Sequence, residues 1–217
     1  MPVVLGALIS ILLTAFVEWL RKPRLSITVE DPPFDASYAE EWPARRARHL
    51  RVNVTNRQPP RWFRWMSRNA ALQCEAEVTF LRMDGQRVFV KSMPGRWADL
   101  PEPVPMVGEV GGQTFKLHDP NITKELRHIH IYPSQPRLLD VAARLDSDPE
   151  CYGWTEANYS SEPLWRNPEW KLPAGLYLVK IRVNADAATK SAAFRLVNDV
   201  SVDHFRLEPT LSSDPVC

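Results

Sequence analysis

Between Arg45 and Arg68 the chain places Arg45, Arg46, Arg48, Arg51, Arg57, Arg61, Arg64 and Arg68, with no lysine and no carboxylate among them. The second half interleaves Trp62, Phe63 and Trp65. Guanidinium offers a planar fork to phosphate or carboxylate and stacks on aromatic faces. Arg61, Trp62, Arg64, Trp65 and Arg68 are therefore candidate contacts to a partner of that chemistry. Beside a bilayer the partner is an anionic headgroup, at about 1 kcal/mol per cation near the surface. Single-stranded nucleic acid answers to the same stacking and backbone charge. A net charge of +1 gives no domain-wide basic footprint, so nucleic acid is disfavoured. The structural alternative lays the arginine stems on an outer sheet face, paired with Glu75, Glu77 and similar acids.

A second group runs from Cys151 to Trp170. Trp154, Tyr159, Trp165 and Trp170 suit an apolar platform for a peptide, a sugar or a partner helix, with Asn158 and Arg166 supplying direction. The same rings equally plug the open end of a sandwich, and the plug is preferred because buried aromatics dominate core energetics. His128 and His130 share one face of a strand, with His118 and Asp119 nearby in sequence. Zinc needs three or four ligands, and an exposed strand face is the plainer account. Asp146-Ser-Asp148-Pro-Glu150 lacks the glycine and ligand ladder of a calcium loop. No G-x-S-x-G, H-E-x-x-H, P-loop or dinucleotide fingerprint occurs. No catalytic residue, metal or cofactor is assigned, and a hydrolase built on Cys151 and the histidines is the least favoured function.

These groups need a scaffold, and the scaffold begins with an apolar run. From Pro2 to Val17 no residue is charged, and through Leu20 the run approaches the roughly 20 residues that cross about 30 Å of hydrocarbon. No cation precedes it and no small-residue cleavage site follows, which argues for a retained transmembrane helix over 2–20. Trp19 suits the interfacial belt, and Arg21, Lys22 and Arg24 flank one side only, predicting an outside amino terminus and a cytoplasmic body. Cys74, Cys151 and Cys217 form no disulfide framework, in keeping with that side. Sequons at Asn53, Asn121 and Asn158 point to the alternative, an extracytoplasmic body. Gly6, Ser10, Thr14 and Glu18 recur every four residues, a spacing that permits helix-mediated self-association.

Behind residues 21–24, period-two alternation predicts strands at Leu25–Val29, His49–Asn56, Leu72–Phe80, Leu139–Leu145, Tyr177–Val183 and Ala192–Leu196. Shorter ones are expected at 114–117 and 127–132, with Phe205 and Leu207 closing the sheet. Met83-Asp84-Gly85-Gln86 predicts a hairpin turn returning along Arg87–Lys91. Residues 35–47 and 93–112 read as loops, and 146–173 as a long irregular segment. No convincing amphipathic helix interrupts these strands, so 25–209 is expected to be one all-β, two-layer antiparallel sandwich, with a flexible tail over 210–217. Leu172–Val183, a turn and Ser191–Val197 resemble the paired strands near the end of immunoglobulin-like and transthyretin-like sandwiches. The resemblance implies architecture alone. The expected function is a membrane-anchored, non-enzymatic module making a protein–protein contact at the membrane surface, with an envelope-facing receptor or carbohydrate-binding domain as the alternative.

Overall fold

Alternation over Gly175–Ala185, broken by buried Leu178, and over Ala188–Asn198 allows each strand to turn one face to the core, and the two pair along their whole length from Gly175↔Asn198 to Ala185↔Ala188. In the computed structural model, residues 2–38, 45–63, 65–102, 106–110, 113–117, 127–146, 148–161, 165–199, 201–212 and 214 are described. In chain order the strands are β1 (Leu25–Val29), β2 (Phe34–Tyr38), β3 (Arg45–Asn56), β4 (Ala71–Arg82), β5 (Met93–Pro94), β6 (Arg96–Trp97), β7 (Met106–Val110) and β8 (Gln113–Leu117). They continue as β9 (Ile129–Ile131), β10 (Arg137–Leu145), β11 (Cys151–Gly153), β12 (Lys171–Leu172), β13 (Gly175–Ala185), β14 (Ala188–Asn198) and β15 (Arg206–Pro209).

Two antiparallel sheets face each other. One has the order β1-β3-β10-β11-β12, with β2 added to β3 and β6 to β10; the other runs β15-β14-β13-β4-β5, with β9 added to β4. β7 and β8 pair only with each other. Leu50, Val52, Val54 and Leu139 from the first sheet meet Val78, Phe80, Val179, Ile181 and Leu196 from the second in one buried core. The two-sheet antiparallel sandwich follows from the alternation; the finer immunoglobulin-like likeness has no further support.

Several local expectations change. Residues 35–47 are not simply a loop: Phe34–Tyr38 pairs with Arg45–His49, while 39–44 lie outside the described residues. Strands β5, β6 and β7 occupy part of 93–112. The turn at 83–86 forms, with Gly85 at φ 83° and Arg82 N–H donating to Gln86 O at 2.8 Å, yet the return makes only the Leu81↔Arg87 bridge. Phe89 packs its ring against Phe80 and Trp170 instead of extending a strand. Leu72 was expected inward, but a register shift between Ala71 and Cys74, with Gln73 at φ 51°, buries Ala71 and exposes Leu72. One extra residue inverts the facing of everything before it.

The amino-terminal run forms one helix, α1 (Pro2–Arg21), about 30 Å long at 1.5 Å per residue. Val4, Leu8, Ile9, Ile11, Leu12, Leu13, Phe16 and Trp19 are exposed, and the helix meets the body through buried Leu20 in its last turn and through Phe16, whose ring meets Phe63. The Thr14 hydroxyl donates to Ser10 O at 2.9 Å, so that polar group is satisfied within the helix. The expected transmembrane span is not supported as such: among the described residues no helix is long and apolar enough to cross a membrane.

Candidate functional site

The end of α1 and the Arg/Trp loop form a single joint. Asn69 N–H donates to Arg21 O at 2.8 Å, and Arg57 N–H to Arg24 O at 2.9 Å. Asn56 ties both segments, its Oδ1 accepting from Arg24 N–H at 3.1 Å and its Nδ2 donating to Asn69 O at 2.9 Å. Arg68 is buried there, and its Nη1 donates to Leu20 O at 3.0 Å and Lys22 O at 2.9 Å. A cation at the carbonyl end of a helix satisfies orphan acceptors and opposes the dipole. Arg68 is thus a cap for α1, which corrects its assignment as a partner contact. Arg61 is exposed, and Trp62 and Trp65 are 87% and 78% exposed; Arg64 lies outside the described residues. Phe63 sets its ring edge-on to Phe16 at 6.2 Å, and the Arg24 guanidinium lies 4.8 Å over the Trp19 ring. Glu18 lies 3.9 Å from Arg21, and Lys22 is exposed.

The first half of the arginine run does something different. Arg48 makes a bidentate pair with Asp35 at 2.7 and 2.9 Å, a bond that holds the Asp35 carboxyl below its ordinary value. Arg46 pairs with Asp203 and lies 3.7 Å from Asp146, and Arg51 Nε donates to Asp140 at 2.7 Å. The structural account therefore holds with other partners than Glu75 and Glu77, because β3 and β4 belong to opposite sheets.

Within the aromatic segment, Cys151–Gly153 joins the β3/β10 sheet as β11, and Trp154 and Tyr159 fold onto that sheet's outer face beside His49. Trp154 is buried against His49, ring centroids 4.7 Å apart and near perpendicular, with Tyr159 edge-on to Trp154 at 5.7 Å. Beneath them Asp140, itself buried, receives Arg51 and Arg96, the latter at 2.6 Å, and Arg96 lies 5.1 Å over the Tyr159 ring. Burial pulls His49 down to about 4 and pushes the Glu156 carboxyl up. Trp170 is buried in the core, Trp165 is half-buried, and Arg166 pairs with Asp148 at 2.6 Å. Two of the four rings have no free face, which fits the preferred packing role better than an exposed platform, although they pack on the sheet's outer face and in the core and do not close an open end. Asn158 is fully buried, its Oδ1 accepting from Thr155 and its Nδ2 donating to Trp165 O at 3.0 Å. A glycan at that sequon is incompatible with this packing. Asn53 sits half-buried on β3, and Asn121 lies outside the described residues.

Sequence reasoning missed a cleft of about 580 Å³ at the edge where the two sheets part. Its floor is Ile27, Leu50, Phe194, Phe205 and Leu207, and its rim carries Glu30, Asp31, Arg48, Asp203 and Arg206. β1 and β15 end their sheets among the described strands and flank it. Alternation marks such residues only as inward-facing; that the sheets diverge there is a tertiary fact.

Neither described cysteine is set up as a nucleophile. Cys151 is fully buried and its thiol is pushed far above the ordinary range by burial, while burial raises Cys74 to about 11. The thiolate is the nucleophile, so neither sulfur is poised to attack. His128 and His130 are exposed, and among the described residues no group of three His, Cys, Asp or Glu could hold a metal ion. His118 lies outside them. Scans against protein-family models, curated proteins and solved structures find no match, so the architecture and these sites stand on the chain's own physics.

Proposed function

We propose that this chain is a non-enzymatic β-sandwich held at a bilayer by α1, which binds a partner protein at the membrane surface. The observation that carries the reading is α1 itself. Leu12 is 68% exposed and seven other large apolar side chains of the helix are exposed with it. Burying a Leu- or Ile-sized side chain is worth about 1.5–3 kcal/mol, so eight of them supply a driving force on the order of 10 kcal/mol for leaving water. Arg21, Lys22 and Arg24 on one flank favour a cytoplasmic body. The loss of Asn158 as a glycan acceptor removes one of three features on the other side.

The binding half rests on the cleft between β1 and β15. An extended segment of a partner can lay apolar side chains on Leu50, Phe194 and Phe205 while its backbone meets a sheet edge. A carbohydrate-binding module lacks its platform, since Trp154 and Trp170 are buried.

The full chain should float with liposomes and resist alkaline extraction, while Ile9→Lys/Leu12→Lys should move into the aqueous fraction. Wild-type protein washed off by alkali would end the membrane reading. A photo-crosslinker at exposed Thr28 on the cleft rim should give a discrete protein adduct in native membranes, absent when the crosslinker sits at Val90. Equal labelling at both positions would end the cleft reading.

A further inference from the structure

The loop after β3 climbs beside α1 instead of lying across the sandwich. Phe16, which Phe63 touches, precedes Leu20 by four residues, so the loop reaches about 6 Å up the helix axis from its last buried turn. The joint below it is stiff. Arg68, Asn56, Asn69 and Arg57 link helix and body by the hydrogen bonds given above, so α1 cannot swivel freely on the sandwich.

What this end presents is chiefly aromatic and basic, with Glu18 an exposed acid beside Arg21. Trp62 and Trp65 stand outward, and exposed Tyr132 joins them across Gln58, whose side chain bonds Ser134, and the Asn56↔Pro133 bridge. Lys22, Arg24, Arg57 and Arg61 are exposed around them, and no acidic residue occurs from Arg57 to Ala71. Aromatic rings with a polar edge settle at headgroup depth, and cations there meet phosphate.

We infer that this end of the body is a second membrane contact, a docking face for anionic phospholipid in which Trp62, Trp65 and Tyr132 sit among headgroups and Arg57 and Arg61 meet their phosphates. It rests on the bilayer placement of α1 proposed above. The rigid joint brings the face to the bilayer whenever the helix is inserted, and the body is held in one orientation.

The test compares depths at two positions of the full chain. Trp65→Cys and, separately, Val90→Cys are made with Cys217→Ser, labelled with an environment-sensitive fluorophore and reconstituted in phosphatidylcholine vesicles with or without phosphatidylserine. Cys74 and Cys151 are buried and stay unlabelled. Val90 is 99% exposed and lies in the return segment beside Phe80 of β4, roughly 30 Å along that strand from Ala71. Lipids spin-labelled near the headgroup should quench the probe at position 65 several-fold more than the probe at 90. Phosphatidylserine should deepen the difference, and Arg57→Ala/Arg61→Ala or high salt should remove that gain.

A vesicle-bound chain with equal quenching at both positions overturns the docking face while leaving the helix reading intact, and assigns the Arg/Trp loop to a protein or nucleic-acid partner. Quenching at 65 that ignores lipid charge overturns the anionic part. A chain that never floats overturns the helix reading and the docking face together.

Discussion

Replacing Arg68 by alanine tests the joint between helix and body. Its Nη1 serves two carbonyls at the end of α1, at 3.0 and 2.9 Å, in a buried position. Hydrogen bonds from a charged donor are worth about 1.5–3 kcal/mol each, and buried acceptors left alone cost about 1–3 kcal/mol each. Against this stands the cost of burying a guanidinium. Desolvation, then the nearby Arg24 charge, lower the Arg68 pKa, and its Nε has no partner among the described residues. Removing that burden returns part of the loss, leaving a net destabilisation of about 2–3 kcal/mol. For a body of this size that is roughly 4–12 °C in Tm. The loss should also be local: the amides of Asn69 and Arg57, bonded to Arg21 O and Arg24 O, should exchange much faster in Arg68→Ala while β13 amides hardly change. Thermal unfolding and hydrogen exchange of the detergent-solubilised full chain read both effects. An unchanged Tm with unchanged exchange at those amides would refute the cap.

Two further expectations concern the body. Burial holds His49 at about 4 against 6.5 in the unfolded chain, so the unfolded state binds more protons between those values and stability falls as pH falls through the window. Its share is at most about 3 kcal/mol, present in full above pH 6.5; urea midpoints across that range should slope less in His49→Phe, and parallel curves would contradict the linkage. Val179 is fully buried between Phe80 and Phe194 in register, so Val179→Asp places an unpaired charge in the core and should abolish cooperative unfolding. A soluble variant with a sharp transition would mean the core face is misassigned.

Alternation over β1, β13 and β14 carried the sandwich in the sequence, because a half-buried strand must repeat every two residues whatever lies opposite. The uncharged run from Pro2 to Val17 likewise announced α1 without help from the rest of the chain. Turn chemistry at Gly85 was legible as well, but Phe89 belongs to Phe80 and Trp170, and that aromatic contact, invisible to local pattern, diverted the return strand. Leu72 faced the wrong way on paper because a single irregular residue, Gln73, shifts the register.

The arginine run shows most clearly where sequence ends. Eight like residues in 24 positions read as one basic surface, since composition assigns the same charge to each. Tertiary structure divides them by partner: Arg46, Arg48 and Arg51 meet carboxylates brought by other strands and loops, Arg68 turns inward to helix carbonyls, and Arg57 and Arg61 stay in solvent beside Trp62. Residue types, periodicity and the apolar run were properties of the chain alone. Which cation is spent on the fold and which is left for a partner depended on contacts between residues far apart in sequence, and only the packed sandwich decides those.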